Sequence, residues 1–214
     1  MPPPDFSIEQ ELIAIGQCPC GVDEAGRGPL AGPVVAAAVV LDANNIPRGL
    51  NDSKKLTEHQ REVLYEPIMA TARVGIGIVD APRIDEINIL AATLQAMAEA
   101  VAQLSPAPAL ALVDGNRPPK LLIPVRTIVG GDATCLSIAA ASIIAKVTRD
   151  RMMHEMEKRH PGYGFSAHKG YGTAAHLAAL QQLGPCAEHR KTFAPIAKLT
   201  ITGQFDSRGV REDS

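Results

Sequence analysis

The segment most informative about the fold is Gly21-Val22-Asp23-Glu24-Ala25-Gly26-Arg27-Gly28-Pro29, together with the Val/Ala run from Pro33 to Leu41 that follows it. Its first part is apolar up to two acids and then meets glycines and a proline, which is typical of a short strand that ends in a loop. The second run is continuously apolar and is followed by Asp-Ala-Asn-Asn, a turn signal. Such a run predicts a buried strand. Two strands in succession therefore indicate a sheet at the centre of the fold.

Strand and helix signals alternate along the rest of the chain. Further strands are predicted at 74–79, 109–113 and 125–129. Thr57 and Gln60 form a possible capping box for a helix that Pro67 should kink or end. Pro82 fits the first turn of a long helix that runs to about Val101. Additional helices are predicted from about 134 towards 160 and from Thr173, as the N-cap of a last helix, to Gly184.

This order predicts an α/β protein with a mixed central β-sheet flanked by helices and a small helical C-terminal region. We expect one domain over 17–198, an N-terminal extension over 1–16 and a polar C-terminal tail over 199–214. The 46% hydrophobic and 21% charged residues exclude a largely disordered chain. No stretch resembles a signal peptide or a membrane span, so we expect a cytoplasmic protein with no membrane contact.

The net charge of −2 hides an uneven distribution. Residues 146–191 hold eight Lys/Arg against four Asp/Glu, together with five of the six histidines. An acidic body with a basic C-terminal third can present negative charge to a metal ion and positive charge to phosphate. The alternative is a chance clustering of charge on solvated helix faces.

Four acids fall inside or just after apolar strands, where a lone carboxylate is costly to bury: Asp23, Glu24, Asp114 and Asp132. Acids at several strand ends suggest a cluster at one edge of the sheet, and an all-oxygen ligand set suits Mg²⁺ or Mn²⁺. Asp23 and Glu24 are neighbours, so a regular strand would point them to opposite faces. Alternatively, each Asp is a local cap, above all Asp132 before its helix.

Two further features suggest a phosphate or sugar ligand. Gly26-Arg27-Gly28 allows backbone N–H groups to approach a ligand closely, although it is neither a P-loop nor a dinucleotide fingerprint. Tyr171, beside Lys169, is an aromatic that can stack on a base or sugar if it is exposed. The alternative for Tyr171 is packing inside the fold.

Taken together, these segments closely resemble ribonuclease HII, the bacterial type 2 ribonuclease H family. The resemblance rests on the segments 21–35, 50–56, 84–90, 112–116, 131–132, 139–150 and 168–171, which occur in family order from about 20 to 195. The acidic pair followed by Gly-Arg-Gly is the most specific of them.

The resemblance implies a ribonuclease H-like fold and an endoribonuclease that cleaves the RNA strand of RNA–DNA hybrids. It also implies incision 5′ of single ribonucleotides embedded in duplex DNA, by two-metal in-line hydrolysis that leaves 3′-hydroxyl and 5′-phosphate ends. Two Mn²⁺ or Mg²⁺ ions are expected as cofactors.

The same resemblance assigns roles to residues of this chain. The family's metal-binding acids correspond to Asp23, Glu24 and Asp114, with Asp132 as the fourth carboxylate. The ribose 2′-hydroxyl sensor corresponds to Gly26, Arg27 and Gly28, and the tyrosine that stacks on the neighbouring deoxyribose corresponds to Tyr171. Phosphate contacts are expected from Lys54, Lys146, Arg149 and Lys169.

The expected partners are RNA–DNA hybrid and ribonucleotide-containing duplex DNA, bound by a monomer. The C-terminal extension lacks a clear clamp-binding motif, so the sequence does not support a sliding-clamp partner. Two rival functions remain open: another nuclease on the same fold, such as a junction resolvase or integrase-type strand transferase, and a non-catalytic hybrid-binding module. The first does not need the Gly-Arg-Gly segment, and the second does not need the acids.

Overall fold

The computed structural model describes residues 3–201, which divide into two compact units. The first unit comprises 3–25, 35–78 and 93–148, and the second comprises 26–34, 79–92 and 149–201. Residues 202–214, most of the expected polar tail, lie outside the described residues. In chain order the elements are α1 (Ser7–Ala14), β1 (Pro19–Ala25), β2 (Val34–Val40), α2 (Glu58–Thr71), β3 (Arg73–Val79), α3 (Ala81–Ala102), β4 (Leu110–Asp114), β5 (Val125–Ile128), α4 (Leu136–Arg159), α5 (Phe165–His168), α6 (Ala174–Leu183) and α7 (Ala194–Ile201).

The centre of the first unit is a five-stranded sheet with the order β3-β2-β1-β4-β5. β1 pairs antiparallel with β2, in the register Gly21↔Val39, and parallel with β4, in the register Val22↔Val113. β4 pairs parallel with β5. The sheet is therefore mixed and flanked by helices, which confirms the predicted fold class.

β2 is buried along its whole length, as its uninterrupted Val/Ala run predicts. Its Ala37 and Val39 pack in one core cluster with Ile144 of α4 and Ile68 of α2. Gly21 lets α4 approach β1, because a Cβ at this position would lie 2.1 Å from the carbonyl carbon of Ser137. The small side chains thus bring helix and sheet into close contact.

Two helix predictions need correction. α2 continues through Pro67 to Thr71, and the carbonyl that loses its intrahelical N–H partner belongs to Val63, an exposed residue. The long helix α3 is interrupted at Asn88, whose backbone (φ 66°, ψ 162°) is not helical. The Asn88 side chain accepts hydrogen bonds from the N–H groups of Leu90 and Ala91, and so caps the second half of α3.

The core of the second unit joins the end of α4 to the C-terminal helices. Phe165, Leu180 and Ile196 are fully buried in one cluster with Met153 of α4. Thr173 caps α6 and Gly184 ends it, as predicted, but α6 is not the last helix because α7 follows. None of the helices within residues 3–201 has the length and apolarity needed to cross a membrane.

Candidate active site

Three carboxylates meet at one edge of the sheet in the first unit. Asp23 follows Val22 in β1, and Asp114 is the last residue of β4. Because Val22 pairs with Val113 in parallel strands, the two acids lie at the same level of neighbouring strands. Asp132 follows β5, in a short 3₁₀ turn at Gly131–Ala133. One oxygen from each of the three carboxylates lies within 4.8 Å of the other two. The predicted cluster therefore exists for Asp23, Asp114 and Asp132.

Glu24 is placed differently from these three acids. It is half-buried. Among the described residues 3–201, the carboxylates close enough to share a metal ion are Asp23, Asp114 and Asp132, without Glu24. Its charge nevertheless acts on Asp23, whose pKa it raises after the larger effect of burial. Glu24 therefore acts electrostatically on the cluster, although its oxygens lie outside the group of three.

The electrostatics of the cluster are those of a cation site. Burial, together with the charges of Glu24, Asp114 and Asp132, raises the pKa of Asp23 well above its usual range. Burial also raises the pKa of Asp114, with a smaller contribution from Asp132. Crowded carboxylates repel one another, and a bound divalent cation relieves that repulsion.

Hydrogen bonds fix all three acids. The Glu24 N–H donates to Oδ1 of Asp23 at 2.7 Å. The Gly131 N–H donates to Oδ1 of Asp114 at 2.8 Å, and the Lys54 ammonium donates to Oδ2 of Asp132 at 3.0 Å. Partial burial alone would lower the pKa of Lys54, but the Asp132 carboxylate raises it overall. Lys54, a predicted phosphate contact, is therefore an exposed cation that reaches the acidic cluster.

The Gly-Arg-Gly segment belongs to the second unit, where two buried arginines support it. The Arg149 guanidinium donates to the carbonyls of Ala31, Pro33 and Lys169. The Arg190 guanidinium donates to the carbonyls of Gly26, Arg27 and Gly32. The side chain of Arg27 itself is exposed.

This arrangement changes the interpretation of Arg149. It is 1% exposed rather than a surface residue, so the structure places it under the loop and not where it would contact phosphate. Its Nε would lie 2.1 Å from a Cβ at Gly26, which has φ +95°, so only glycine fits there. Burial lowers the pKa of Arg149 to about 10 and that of Arg190 to about 9. Both guanidiniums are therefore charged at neutral pH.

Sequence reasoning missed Arg190. Arg190 stands in a His-Arg-Lys run near the end of the basic C-terminal third, and this sequence pattern does not distinguish a buried arginine from an exposed one. Only the folded structure brings it to carbonyls more than 150 positions earlier in the chain.

We expect Arg190→Met to destabilise the protein, because it removes the donors to three loop carbonyls while filling most of the space. Unpaired buried carbonyls cost about 1–3 kcal/mol each, so the melting temperature should fall by about 10 °C in calorimetry. Arg159→Met is the matched control, since Arg159 is 61% exposed and pairs with Glu188 at the surface. Equal melting temperatures for the two variants would show that the loop does not depend on Arg190.

Tyr171 lies beside the Gly-Arg-Gly segment in the second unit. Its side chain is 48% exposed, and its Cε1 would lie 3.5 Å from a Cβ at Gly28. The exposure favours a binding surface over packing inside the fold. The Lys169 ammonium is less available, because it donates to the Ser166 carbonyl and lies 2.9 Å from Nε2 of His154. Lys146 is half-buried in α4, within the first unit.

Two histidines in hydrogen-bond contact, His189 and His176, hold the backbone carbonyl of Tyr171. His189 accepts the Cys186 N–H at Nδ1, so its proton is on Nε2, which faces Nε2 of His176 at 3.0 Å. His176 then carries its proton on Nδ1 and donates it to the Tyr171 carbonyl at 2.9 Å. Burial, and then the neighbouring His176, lowers the pKa of His189 to about 3. The relay is therefore neutral at physiological pH.

This relay predicts a loss of stability in acid. Because the folded pKa of His189 lies below the unfolded value of about 6.5, the unfolded state binds more protons as the pH falls from about 6.5 towards 3. We expect the melting temperature to drop over that range. His189→Asn, whose side-chain oxygen can still accept the Cys186 N–H, should show a smaller drop between pH 7 and pH 5. His59→Asn, at an exposed position, is the control and should follow the wild type.

Comparison with known proteins agrees with this fold. A family model described as ribonuclease HII matches residues 20–196. A ribonuclease HII of Parvibaculum lavamentivorans is 57% identical over 201 residues, covering 94% of this chain and 75% of the relative. A ribonuclease HII of Paracoccus denitrificans is 53% identical over 207 residues, covering 96% and 99%.

Solved structures give the same result. The ribonuclease H2 of Pyrococcus horikoshii superposes with a TM-score of 0.72 at 30% identity, covering 86% of this chain and 97% of that chain. A ribonuclease HII of Archaeoglobus fulgidus, solved in complex with PCNA, has a TM-score of 0.68 at 28% identity, covering 80% and 91%.

These matches place the chain among the metal-dependent ribonucleases with a ribonuclease H-like fold. More narrowly, the chain belongs to the ribonuclease HII family. It is therefore an endoribonuclease that acts on RNA–DNA hybrids.

Proposed function

We propose that the acidic cluster holds divalent cations and that the chain also incises duplex DNA on the 5′ side of a single embedded ribonucleotide. The observation that carries this proposal is the meeting of Asp23, Asp114 and Asp132, with one oxygen from each within 4.8 Å. Glu24, whose charge acts on Asp23, is included with Asp23, Asp114 and Asp132 among the proposed metal ligands. The products would carry 3′-hydroxyl and 5′-phosphate ends, because water would attack the phosphorus in line with the P–O3′ bond and the 3′-oxygen would leave.

The donor set fits Mg²⁺ or Mn²⁺. It consists only of carboxylate oxygens, the ligands that these hard cations prefer. Asp23 is 4% exposed, and its pKa is raised first by burial and then by the charges of the neighbouring acids. Cations held there would neutralise charge on the scissile phosphate and activate the attacking water.

The chain's own residues orient that cluster. The Gly131 N–H donates to one oxygen of Asp114 and so fixes the orientation of the carboxylate, which also sets the direction of its second oxygen. Lys54 pairs with Asp132 and, being 77% exposed, is the basic group most available to a phosphate that approaches the cluster. We assign Lys54 to phosphate binding, with Lys146 and Lys169 as weaker candidates.

The second unit supplies the recognition of the ribonucleotide in this proposal. Arg149 and Arg190 hold the carbonyls of the loop that contains Gly26, Arg27 and Gly28. A loop held in this way is a pre-organised surface for the ribose 2′-hydroxyl, with Tyr171 as the stacking platform. Sites built to hydrogen-bond a hydroxyl reject the analogue without it by about 10⁴-fold.

A sliding clamp is not included among the proposed partners. The Archaeoglobus fulgidus relative is seen with PCNA, but the tail of this chain carries no clear clamp-binding motif. The proposed partners are the hybrid and the ribonucleotide-containing duplex. A cytoplasmic location and a monomeric state stay predictions.

The test is cleavage of a labelled RNA–DNA hybrid and of a duplex with one ribonucleotide, with Mg²⁺, with Mn²⁺ and with chelator. We expect metal-dependent products whose masses correspond to 3′-hydroxyl and 5′-phosphate ends. Cyclic phosphate ends would mean that the 2′-hydroxyl is the nucleophile, which contradicts the proposed chemistry. Binding without cleavage under either metal would favour a hybrid-binding module.

A further inference from the structure

The segment that begins this chain contacts the residues that follow Asp132. The Asp5 N–H donates to the Thr134 carbonyl at 3.3 Å, and the Leu136 N–H donates to the Asp5 carbonyl at 3.1 Å. These bonds form a short parallel bridge between Asp5 and Cys135. The start of α4 is therefore paired with a piece of backbone that the sequence assigned to an N-terminal extension.

Glu9 of α1 adds a buried carboxylate to this contact. It is 1% exposed, and its Oε1 accepts hydrogen bonds from the Ser137 N–H at 2.7 Å and from the Cys135 thiol at 3.1 Å. Ser137 lies in the first turn of α4, where N–H groups have no partner within the helix. The other oxygen, Oε2, is buried without a hydrogen-bond partner among the described residues. A buried carboxylate with only one oxygen hydrogen-bonded costs free energy of folding, so Glu9 is expected to have a role other than packing.

Apolar contacts bring α1 to the same place. Ile8 and Leu12 pack against a buried cluster formed by Leu112, Cys135 and Ile138. Leu112 lies in β4, two positions before Asp114. The helix is thus fixed against both the strand that carries Asp114 and the segment that follows Asp132.

The backbone links this segment to the acids. The N–H groups of Thr134 and Cys135 both donate to the Gly131 carbonyl, at 3.1 and 2.8 Å. On its other side, the Gly131 N–H holds Asp114. Asp132 lies between these hydrogen-bonded groups. A shift at the start of α4 would therefore displace the Asp132 carboxylate and the Gly131 N–H that orients Asp114.

We propose that Glu9 is a positioning residue for the acidic cluster: by capping α4 it fixes the turn that carries Asp132 and so sets the affinity of the cluster for divalent cations. The inference rests on the proposed metal-binding function of Asp23, Asp114 and Asp132. It gives the N-terminal segment a functional role that its sequence does not indicate.

The test measures Mn²⁺ binding to the metal-stripped full chain by calorimetry, with the Mn²⁺ concentration for half-maximal cleavage as a second readout. Glu9→Met keeps the volume and removes both the acceptor and the buried charge, so we expect a folded protein. Its Mn²⁺ affinity should fall by about 10-fold, the usual effect of losing a group that orients a metal ligand. The KM for the duplex should not change.

Two further variants separate positioning from stability. Glu9→Gln keeps an oxygen that can accept the Ser137 N–H and should bind Mn²⁺ within about 2-fold of the wild type, since the capping bond is retained. Glu11→Met, at an exposed position of the same helix, should bind like the wild type. Wild-type affinity in folded Glu9→Met, or equal losses in the Met and Gln variants, would overturn the inference. Absence of Mn²⁺ binding by the wild type would instead contradict the proposed function itself.

Discussion

Asp23→Asn should abolish cleavage while raising the melting temperature of the metal-free protein. Loss of one ligand from a metal site that supplies several kcal/mol to catalysis is expected to lower the rate by at least about 10³-fold. The gain in stability has a separate cause. Burial and the neighbouring acids raise the pKa of Asp23, so ionising this carboxyl in the folded protein costs free energy, and an amide removes that penalty.

The sign of this effect can be followed with pH. A carboxyl whose folded pKa exceeds its unfolded value destabilises the protein increasingly as the pH rises from about 4 towards the folded pKa. Above that range the advantage of Asp23→Asn should be complete, and in acid it should vanish. Thermal denaturation in chelator, repeated with Mn²⁺, measures both effects: Mn²⁺ should stabilise the wild type more than the variant.

Asp42→Asn is the matched control, because Asp42 is exposed in the loop after β2. It should leave cleavage and melting temperature unchanged. Near-native turnover of Asp23→Asn would remove the assignment of Asp23 as a metal ligand. A lower melting temperature in chelator would instead contradict the electrostatic description of the cluster.

Tyr171→Ala should weaken incision at a single ribonucleotide by about 10-fold or more. Stacking of an aromatic ring on a nucleotide contributes about 1–3 kcal/mol, and the half-exposed ring beside Gly28 is placed to make such a contact. The fold should tolerate the change because nearly half of the side chain already faces solvent. Incision rates at saturating and subsaturating duplex, together with duplex binding, measure the effect.

Tyr171→Phe keeps the ring and removes only the hydroxyl. If stacking carries the contact, this variant should retain most of the activity that Tyr171→Ala loses. Equal losses in both variants would assign the effect to the hydroxyl group. Unchanged rates and binding in Tyr171→Ala would mean that the residue serves packing alone.

The helix and strand predictions that the structure confirms rest mostly on local sequence signals. The Thr57–Gln60 capping box and the Thr173 cap both form as predicted, because each depends on residues three positions apart. Pro67 was expected to kink or end α2 and does not end it, since the helix continues to Thr71 with Ile68 fully buried. Asn88 misled because apolar spacing does not reveal a side chain that caps a helix within a helical pattern.

The candidate site was predictable only in part, for the same reason. Asp23, Asp114 and Asp132 lie in or just after three neighbouring strands, so their meeting could be inferred from one edge of the sheet. Glu24 lies outside that group of ligand oxygens, and the sequence did not predict this difference from Asp23, on which its charge acts. Arg190 and Glu9 act on backbone groups more than 100 positions away, and no local pattern marks a charge that will be buried by such contacts.

The most direct test of ribose recognition compares single-turnover incision of two duplexes in Mg²⁺. They have the same sequence and differ by one 2′-hydroxyl group. We expect one nick, 5′ of the ribonucleotide, with the all-DNA duplex cut at least about 10⁴-fold more slowly. Comparable cleavage of both duplexes would contradict ribose recognition by the Gly26–Gly28 loop and would favour a resolvase-like nuclease on the same fold.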